Sequence, residues 1–309
     1  MCQCMNDKEN PLVSVVIPTY NYASYLSSAL QSVLDQTYTN WEAIVIDNHS
    51  TDNTDEVMAG FSNPRITYLK IHNNGIIAKS RNAGIKAAKG EWVAFLDADD
   101  LWTPNKLEVC VGKINSNIDI IYHPLKIIGR ELTPVEKSFK DRELKQPITL
   151  DLILNGNPIS NSSVLVRKKI IDCIGGLDES QQIVGCEDYD AWLRISEISN
   201  GFFALKEVLG AYSAHQNNYS LRDTSLALES VVNRYSYVLS PFQKKRINSY
   251  KEYNNGRKLF VERRFVDSKR CLLYGIRYGD NEVKIKALYM LIYINIYTLC
   301  NDFLNRNKK

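Results

Sequence analysis

Short apolar runs recur along the first hundred residues, and each gives way at once to a polar cluster. Residues 12–17 (LVSVVI) form the first run, which Pro18 is expected to end. Residues 41–46, 66–71 and 92–96 form the next three. Between them the apolar period lengthens. Residues 23–34 set Tyr25, Leu26, Ala29, Leu30, Val33 and Leu34 on one stripe, which predicts a helix. Ser50 or Thr51 can cap a second helix running to Phe61. A third is predicted over 76–88, where Ala78, Ala83, Gly84 and Ala87 make a small inner face for close packing.

Unbroken apolar strands joined by helices predict an α/β chain whose mostly parallel sheet is covered on both faces. Such sheets bind ligands beyond the carboxyl ends of their strands. Thr19-Tyr20-Asn21, Asp47-Asn48-His49-Ser50 and Asp97 to Asp100 all fall at that edge. Turn chemistry explains any one of them, and three together predict a site. Beyond Pro104 the pattern is mixed, with further strands predicted at 118–122, 163–166 and 202–205. After residue 217 Tyr, Lys, Arg and Leu dominate and proline occurs once, at Pro241, which predicts helices. The expected division is a disordered tail at 1–10, an α/β domain at 11–219 with halves at 11–103 and 104–219, and a helical region at 220–309.

Charge and cysteine usage narrow the classes. A balance of 38 basic against 35 acidic residues leaves a net charge of +3, too weak to argue for nucleic acid. Seven cysteines at irregular spacing, with no C-x-x-C, signal neither zinc nor a disulfide framework and read as reduced cytosolic thiols. The polar N-terminus shows no signal-peptide core. Residues 287–300 are uncharged and largely apolar, yet fall short of the roughly 20 needed to span a bilayer. A buried helix is the expected reading, with an interfacial membrane helix second.

The cluster Asp97-Ala98-Asp99-Asp100 carries the most chemistry. Hard cations such as Mg²⁺ take oxygen ligands and keep waters and substrate phosphates in their shell, so one or two carboxylates suffice. A bound cation relieves the repulsion of clustered acids. An Asp-rich turn ending a strand is the alternative.

Val13 to Asn21 (VSVVIPTYN), Ile46 to Asp52 (IDNHSTD), Asn73-Asn74-Gly75 leading to Ser80-Arg81-Asn82-Ala83-Gly84, and Phe95 to Asp100 with Trp102, Pro104 and Leu107 follow one another in order. Gly175 to Glu179 (GGLDE) and Glu187 to Arg194 (EDYDAWLR) come next. Together these segments resemble family 2 glycosyltransferases, inverting enzymes of GT-A fold, and among them those of bacterial surface-polysaccharide assembly. The resemblance covers about residues 13–220. It implies a Rossmann-like central sheet and a nucleoside diphosphate sugar donor, with UDP-sugars favoured. It also implies Mn²⁺ or Mg²⁺, a glycan or lipid-linked acceptor, and a cytoplasmic enzyme or one peripheral on the inner membrane face.

By the same resemblance Thr19, Tyr20 and Asn21 line the nucleobase pocket, and Asp47 and Asn48 hold the base and its sugar. The family's commonest pattern has two acids at the latter pair. Asn48 both accepts and donates, which leaves the base open, and a simple turn is the alternative for the pair. Arg81 forks onto phosphate or base oxygens, or is an ordinary surface arginine. Asp97 touches the ribose with Ala98 beside the nucleotide, and Asp99 binds the metal. Asp100 orients its neighbours or caps a helix starting near Pro104.

Asp188 is the base expected to take the acceptor's proton, from the first turn of a helix near Glu187 whose Tyr189, Trp192, Leu193 and Ser196 face inward. The alternative is that Asp188 or Glu187 only complements the helix end. Glu187 and Asp190 then serve the acceptor or salt bridges. His215, followed by Ser220, is a third metal ligand, a diphosphate contact or a packing histidine. Trp102 and Trp192 are candidates to stack on the acceptor sugar, although tryptophan more often belongs to the core. His49, His72 and His123 show no partner spacing.

The tail interleaves Tyr274, Tyr278, Tyr289, Tyr293 and Tyr297 with Leu and Ile. A lid or homodimer face, peripheral membrane contact and plain helix packing all fit it. Two rival functions stand beside the transferase. A sugar-nucleotide pyrophosphorylase needs a glycine-rich basic loop after the first strand, and Tyr20 to Ser24 offers neither glycine nor lysine. A catalytically silent sugar-nucleotide or glycan-binding module is the other, and intact Asp97, Asp99 and Asp188 argue against it.

Overall fold

The computed structural model describes residues 10–129, 142–216, 218 and 222–306. Cys2, Cys4, Ser220 and nearly all of the tail expected at 1–10 lie outside the described residues. The predicted alternation holds through the first half: β1 (Val13–Thr19), α1 (Ala23–Leu34), β2 (Trp41–Asp47), α2 (Thr54–Ala59), β3 (Ile66–Lys70), α3 (Ile77–Ala87) and β4 (Trp92–Phe95). Then come β5 (Leu101–Trp102), α4 (Lys106–Val111), β6 (Ile120–Tyr122), β7 (Lys126–Ile128), α5 (Ile148–Asn155), β8 (Leu165–Arg167), α6 (Lys168–Cys173), α7 (Glu187–Ile198), β9 (Phe202–Ala204), β10 (Gly210–Ser213) and α8 (Ser225–Arg234).

Seven strands form the main sheet in the order β3-β2-β1-β4-β8-β6-β9. Its neighbours pair parallel except at β8, which runs antiparallel to both β4 and β6. Every residue of β1 and β4 is buried, as strands covered on two faces require. A small sheet, β5-β10-β7, lies after the end of β4. Its strands have two to four residues each and no period to read, and they were not expected.

Three expectations are corrected. Pro18 does not end β1 but pairs with Ile46 inside it. The ladder to β4 stops at Val16–Phe95, so the missing N–H of Pro18 faces no partner strand on that side. The second helix starts at Thr54 instead of after Ser50 or Thr51, and Asp52 accepts the Thr54 N–H at 3.1 Å. On α3 the close contact is made by Gly84: a Cβ there would fall 2.3 Å from Val16 Cγ1. Ala78 is buried beside it, while Ala83 and Ala87 are only half-buried.

The chain divides into two compact units, Met1–Asn233 and Arg234–Lys309. The second holds α9 (Pro241–Val261), α10 (Phe265–Tyr278) and α11 (Asn281–Arg306). A capping box starts α9: Ser240 and Gln243 exchange side-chain and backbone hydrogen bonds, with Pro241 at the first turn. Tyr253, Leu272, Val283, Ala287, Leu291 and Ile294 form this unit's core. Among the described residues no helix is long and apolar enough to cross a membrane, and Cys110, Cys173, Cys186 and Cys271 are free thiols.

Candidate active site

Because β1, β2 and β4 run parallel, residues 19–21, 47–50 and 97–100 leave the sheet at one edge. The three carboxylates after β4 have different partners. Asp97 Oδ1 accepts from Arg81 Nη2 at 2.8 Å. Asp99 Oδ2 meets His215 Nε2 at 2.9 Å and accepts from Asn218 Nδ2 at 3.2 Å. Asp100 is buried and accepts the Ser213 N–H at 3.0 Å, which ties the loop to β10. Asp100 therefore orients and does not cap: α4 begins after Asn105 and has no side-chain cap.

Burial first, and then the charge of Asp97, push the Asp99 and Asp100 carboxyls above the usual range. His215 is seated on aromatic rings, stacked 4.9 Å from Tyr25 and tilted 5.7 Å from Tyr22. Its backbone N–H donates to Asn218 Oδ1 at 2.5 Å. A carboxylate, which suits Mn²⁺ or Mg²⁺, and an imidazole, which suits transition metals, face each other here at 2.9 Å. Among the described residues no three His, Cys, Asp or Glu gather into a metal cage. A hard cation held there would take its remaining oxygen ligands from phosphate and water.

Arg81, 4% exposed, is the junction of the site. Besides Asp97 it donates to Glu187 Oε1 at 2.7 Å. The Asn161 amide, its oxygen turned to the guanidinium, accepts from Nε at 3.1 Å. Both arms of the fork thus meet carboxylates, and Arg81 is not the ordinary surface arginine of the alternative reading. Glu187 is buried, and its second oxygen accepts the Gly185 N–H at 2.7 Å, so both of its oxygens are engaged. The neighbours of Arg81 serve the same junction. Ser80 Oγ accepts from Asn73 Nδ2 at 2.9 Å. Asn82 exchanges two hydrogen bonds with the Leu177 backbone, both at 2.8 Å. Gly176, at φ +80°, lies so near that a Cβ would fall 2.6 Å from Asn82 Oδ1.

The first turn of α7 holds Glu187, Asp188 and Asp190. Asp190 is fully buried against Arg194 Nε at 2.7 Å. Asp188 is half-buried and accepts the Tyr189 N–H at 2.7 Å. Burial chiefly, and Glu187 next, push its carboxyl up to about 7 against the pull of Arg81. A carboxyl poised there suits a general base near neutral pH. Tyr189, Trp192, Leu193 and Ser196 are buried, as the helix pattern required.

At the nucleotide edge, Thr19 Oγ1 is buried with no hydrogen-bond partner, a state that points to a ligand. Tyr20 beside it is 51% exposed. Asn21 braces the edge, its Oδ1 accepting the Thr51 N–H at 2.7 Å. Asp47 is fully buried: Oδ1 accepts the Ser50 N–H at 2.9 Å and Oδ2 the Tyr68 hydroxyl at 2.9 Å. These contacts match the turn alternative for this residue. Asn48 Oδ1 accepts the Asn73 N–H at 2.8 Å.

Trp102 and Trp192 are core residues, 5% and 1% exposed, and not sugar platforms. Trp102 Nε1 donates to the Ser162 carbonyl at 2.7 Å, and Lys106 Nζ lies 3.8 Å over its ring. Ser162 Oγ in turn accepts the Asp97 N–H at 3.1 Å. Asn161 and Ser162 carried no sequence signal. His49 and His72, which show no partner spacing in the sequence, stack their exposed rings at 3.9 Å. They follow β2 and β3, and adjacency of those parallel strands was the available clue.

A sequence profile for glycosyl transferase family 2 matches residues 14–175. A relative from Escherichia coli, the UDP-Glc:alpha-D-GlcNAc-diphosphoundecaprenol beta-1,3-glucosyltransferase WfgD, is 33% identical over 67% of this chain and 81% of its own. Among solved structures, S. aureus TarS 1-349 with UDP-GlcNAc has a TM-score of 0.63 at 19% identity, covering 91% of this chain and 88% of that one. The mannosyltransferase PcManGT from Pyrobaculum calidifontis, with GDP-Man and Mn²⁺, has a TM-score of 0.59 at 16% identity, covering 95% and 85%. The shared architecture is the GT-A-like fold.

Proposed function

The chain belongs to glycosyl transferase family 2, and from that premise we propose an inverting, metal-dependent enzyme of bacterial surface-polysaccharide assembly. It moves a sugar from a nucleoside diphosphate sugar, a UDP-sugar, to a glycan or lipid-linked acceptor at the cytoplasmic face of the membrane. One observation carries the reading: Arg81 joins Asp97 at 2.8 Å to Glu187 at 2.7 Å. The donor loop and the first turn of α7 are thereby one ion-paired unit. A single displacement needs the leaving group and the attacking hydroxyl held in line, and a shared rigid mount does this.

Thr19 and Tyr20 receive the base, and Asn48 adds a polar contact. Asp97 gives its remaining oxygen to the ribose, with Ala98 against the nucleotide. Asp99 and His215 would hold Mn²⁺ or Mg²⁺, which would supply Lewis-acid neutralisation of the diphosphate. Asp188 takes the acceptor hydroxyl's proton as that oxygen attacks the anomeric carbon. The new C–O bond forms opposite the breaking bond to diphosphate, so the configuration inverts. The activity of the E. coli relative, with its UDP-glucose donor and diphosphate-lipid acceptor, supports the donor and acceptor classes chosen here.

The test is diphosphate release by purified protein with Mn²⁺ and a range of UDP-, GDP- and dTDP-sugars, with and without acceptor. UDP release stimulated by acceptor and abolished by EDTA is expected. Binding without turnover across all donors overturns the enzyme, and turnover indifferent to EDTA overturns the metal's part.

A further inference from the structure

From Ala287 to Asn301 α11 carries no charge, and its apolar residues surround the helix. One face is used within its own unit, where Val283, Ala287, Leu291 and Ile294 are buried. The opposite face is open. Ile285, Tyr289, Ile292, Ile296 and Leu299 follow one another at steps of four, three, four and three, and are 55%, 71%, 47%, 57% and 69% exposed. Leu288 and Tyr293 flank this line and are also about half exposed. A helix apolar all round belongs in an interior. The alternation of four and three is the seam of a coiled coil, in which each knob enters a hole on a facing helix.

We propose that this seam pairs with the same seam of a second copy of the chain about a two-fold axis. Seven side chains about half exposed or more present on the order of 800 Å², the per-partner share of a standard specific interface. That exceeds the largest apolar patch of a typical monomer. A two-fold contact must be self-complementary. From Tyr289 to Leu299 this seam qualifies, because the helix carries no charge between Lys286 and Asp302 to face its own like. A lipid surface fits less well. Interfacial helices carry Lys and Arg along a polar face, whereas here none occurs between Lys286 and Arg306. The face opposite the seam is already packed in the unit's core.

Sedimentation velocity of the full chain over about a hundredfold range of concentration tests the pairing by mass action. The parent is expected to pass from monomer to dimer. Ile292→Glu with Ile296→Glu is expected to stay monomeric, with parental circular dichroism and diphosphate release. Leu299→Arg, near the helix end, gives the same readout should the double variant misfold. A parent that stays monomeric throughout overturns the pairing, and so do variants that dimerise like it. Flotation of monomeric parent with neutral or anionic phospholipid vesicles, lost in the variants, also overturns it and assigns the face to lipid.

Discussion

The loop after β4 and the first turn of α7 each pack three carboxylates into four residues, yet they end in different chemistry. In each, one acid goes to Arg81: Asp97 from the loop and Glu187 from the turn. In each, a second is buried to hold the scaffold, Asp100 on the Ser213 N–H and Asp190 on Arg194. The third separates them. Asp99 faces an imidazole and an amide brought from beyond β10. Asp188 accepts its own helix's N–H, and its carboxyl rises to about 7. On the proposed function, partners and not the number of charges decide whether an acidic cluster seats a cation or keeps a base.

The largest effect is expected from cutting the link between the two clusters. Arg81→Met leaves Asp97 and Glu187 without their cation, and Glu187 is 5% exposed. Breaking a buried pair by removing one partner costs about 3–5 kcal/mol, to be read from urea unfolding, and diphosphate release should fall to background. Arg81→Lys keeps the charge without the fork, so it should regain part of the stability and little of the turnover. An Arg81→Met protein as stable as the parent would mean that the clusters are not joined through this residue.

Next comes the base. Asp188→Asn should lower kcat by about 10²–10⁴-fold while donor affinity stays near the parent's. In the parent, kcat/KM should rise with pH through about 7, as the carboxyl loses its proton. Stability runs the other way. The folded carboxyl titrates near 7 and the unfolded one near 3.8, so between them the native state holds a proton that the unfolded chain has lost. Stability from this group therefore declines as pH rises through that window. The Asn variant escapes the decline, so its melting temperature should exceed the parent's at pH 8 and lose that advantage near pH 4. A variant that melts lower at pH 8 would show that the carboxylate is stabilised there by partners.

The two clusters also mark how far the chain was legible. Strands β1 to β4 could be read because four to seven mostly apolar residues stand out between polar clusters, whereas β5, β7 and β10 are too short to show a pattern. Motif and spacing were enough to single out Asp99 and Asp188 as candidates. What could not be read is which polar groups are already satisfied. Asp47 is taken by Ser50 and Tyr68, and Arg81 by a glutamate 106 positions away. His215 reaches Asp99 across 116 positions. Residue type gives the capacity for a contact, and the fold alone says where that capacity has been used.

The smallest effect should separate the clusters most sharply. Asn218 touches no expected substrate atom; its amide donates to Asp99 and to the Ser213 carbonyl, and accepts the His215 N–H. Groups that orient metal ligands typically carry 10–100-fold in metal affinity, so Asn218→Ala should raise the Mn²⁺ needed for half-maximal turnover by about tenfold. At saturating Mn²⁺, kcat should return to near the parent's value, and the pH midpoint near 7 should not move, because that midpoint belongs to Asp188. Asp188→Asn should show the reverse, with its residual turnover keeping the parental Mn²⁺ dependence. If the Asn218 variant shifts the pH midpoint instead, the cation seat and the base are one coupled titration across Arg81, and the division of labour between loop and turn fails.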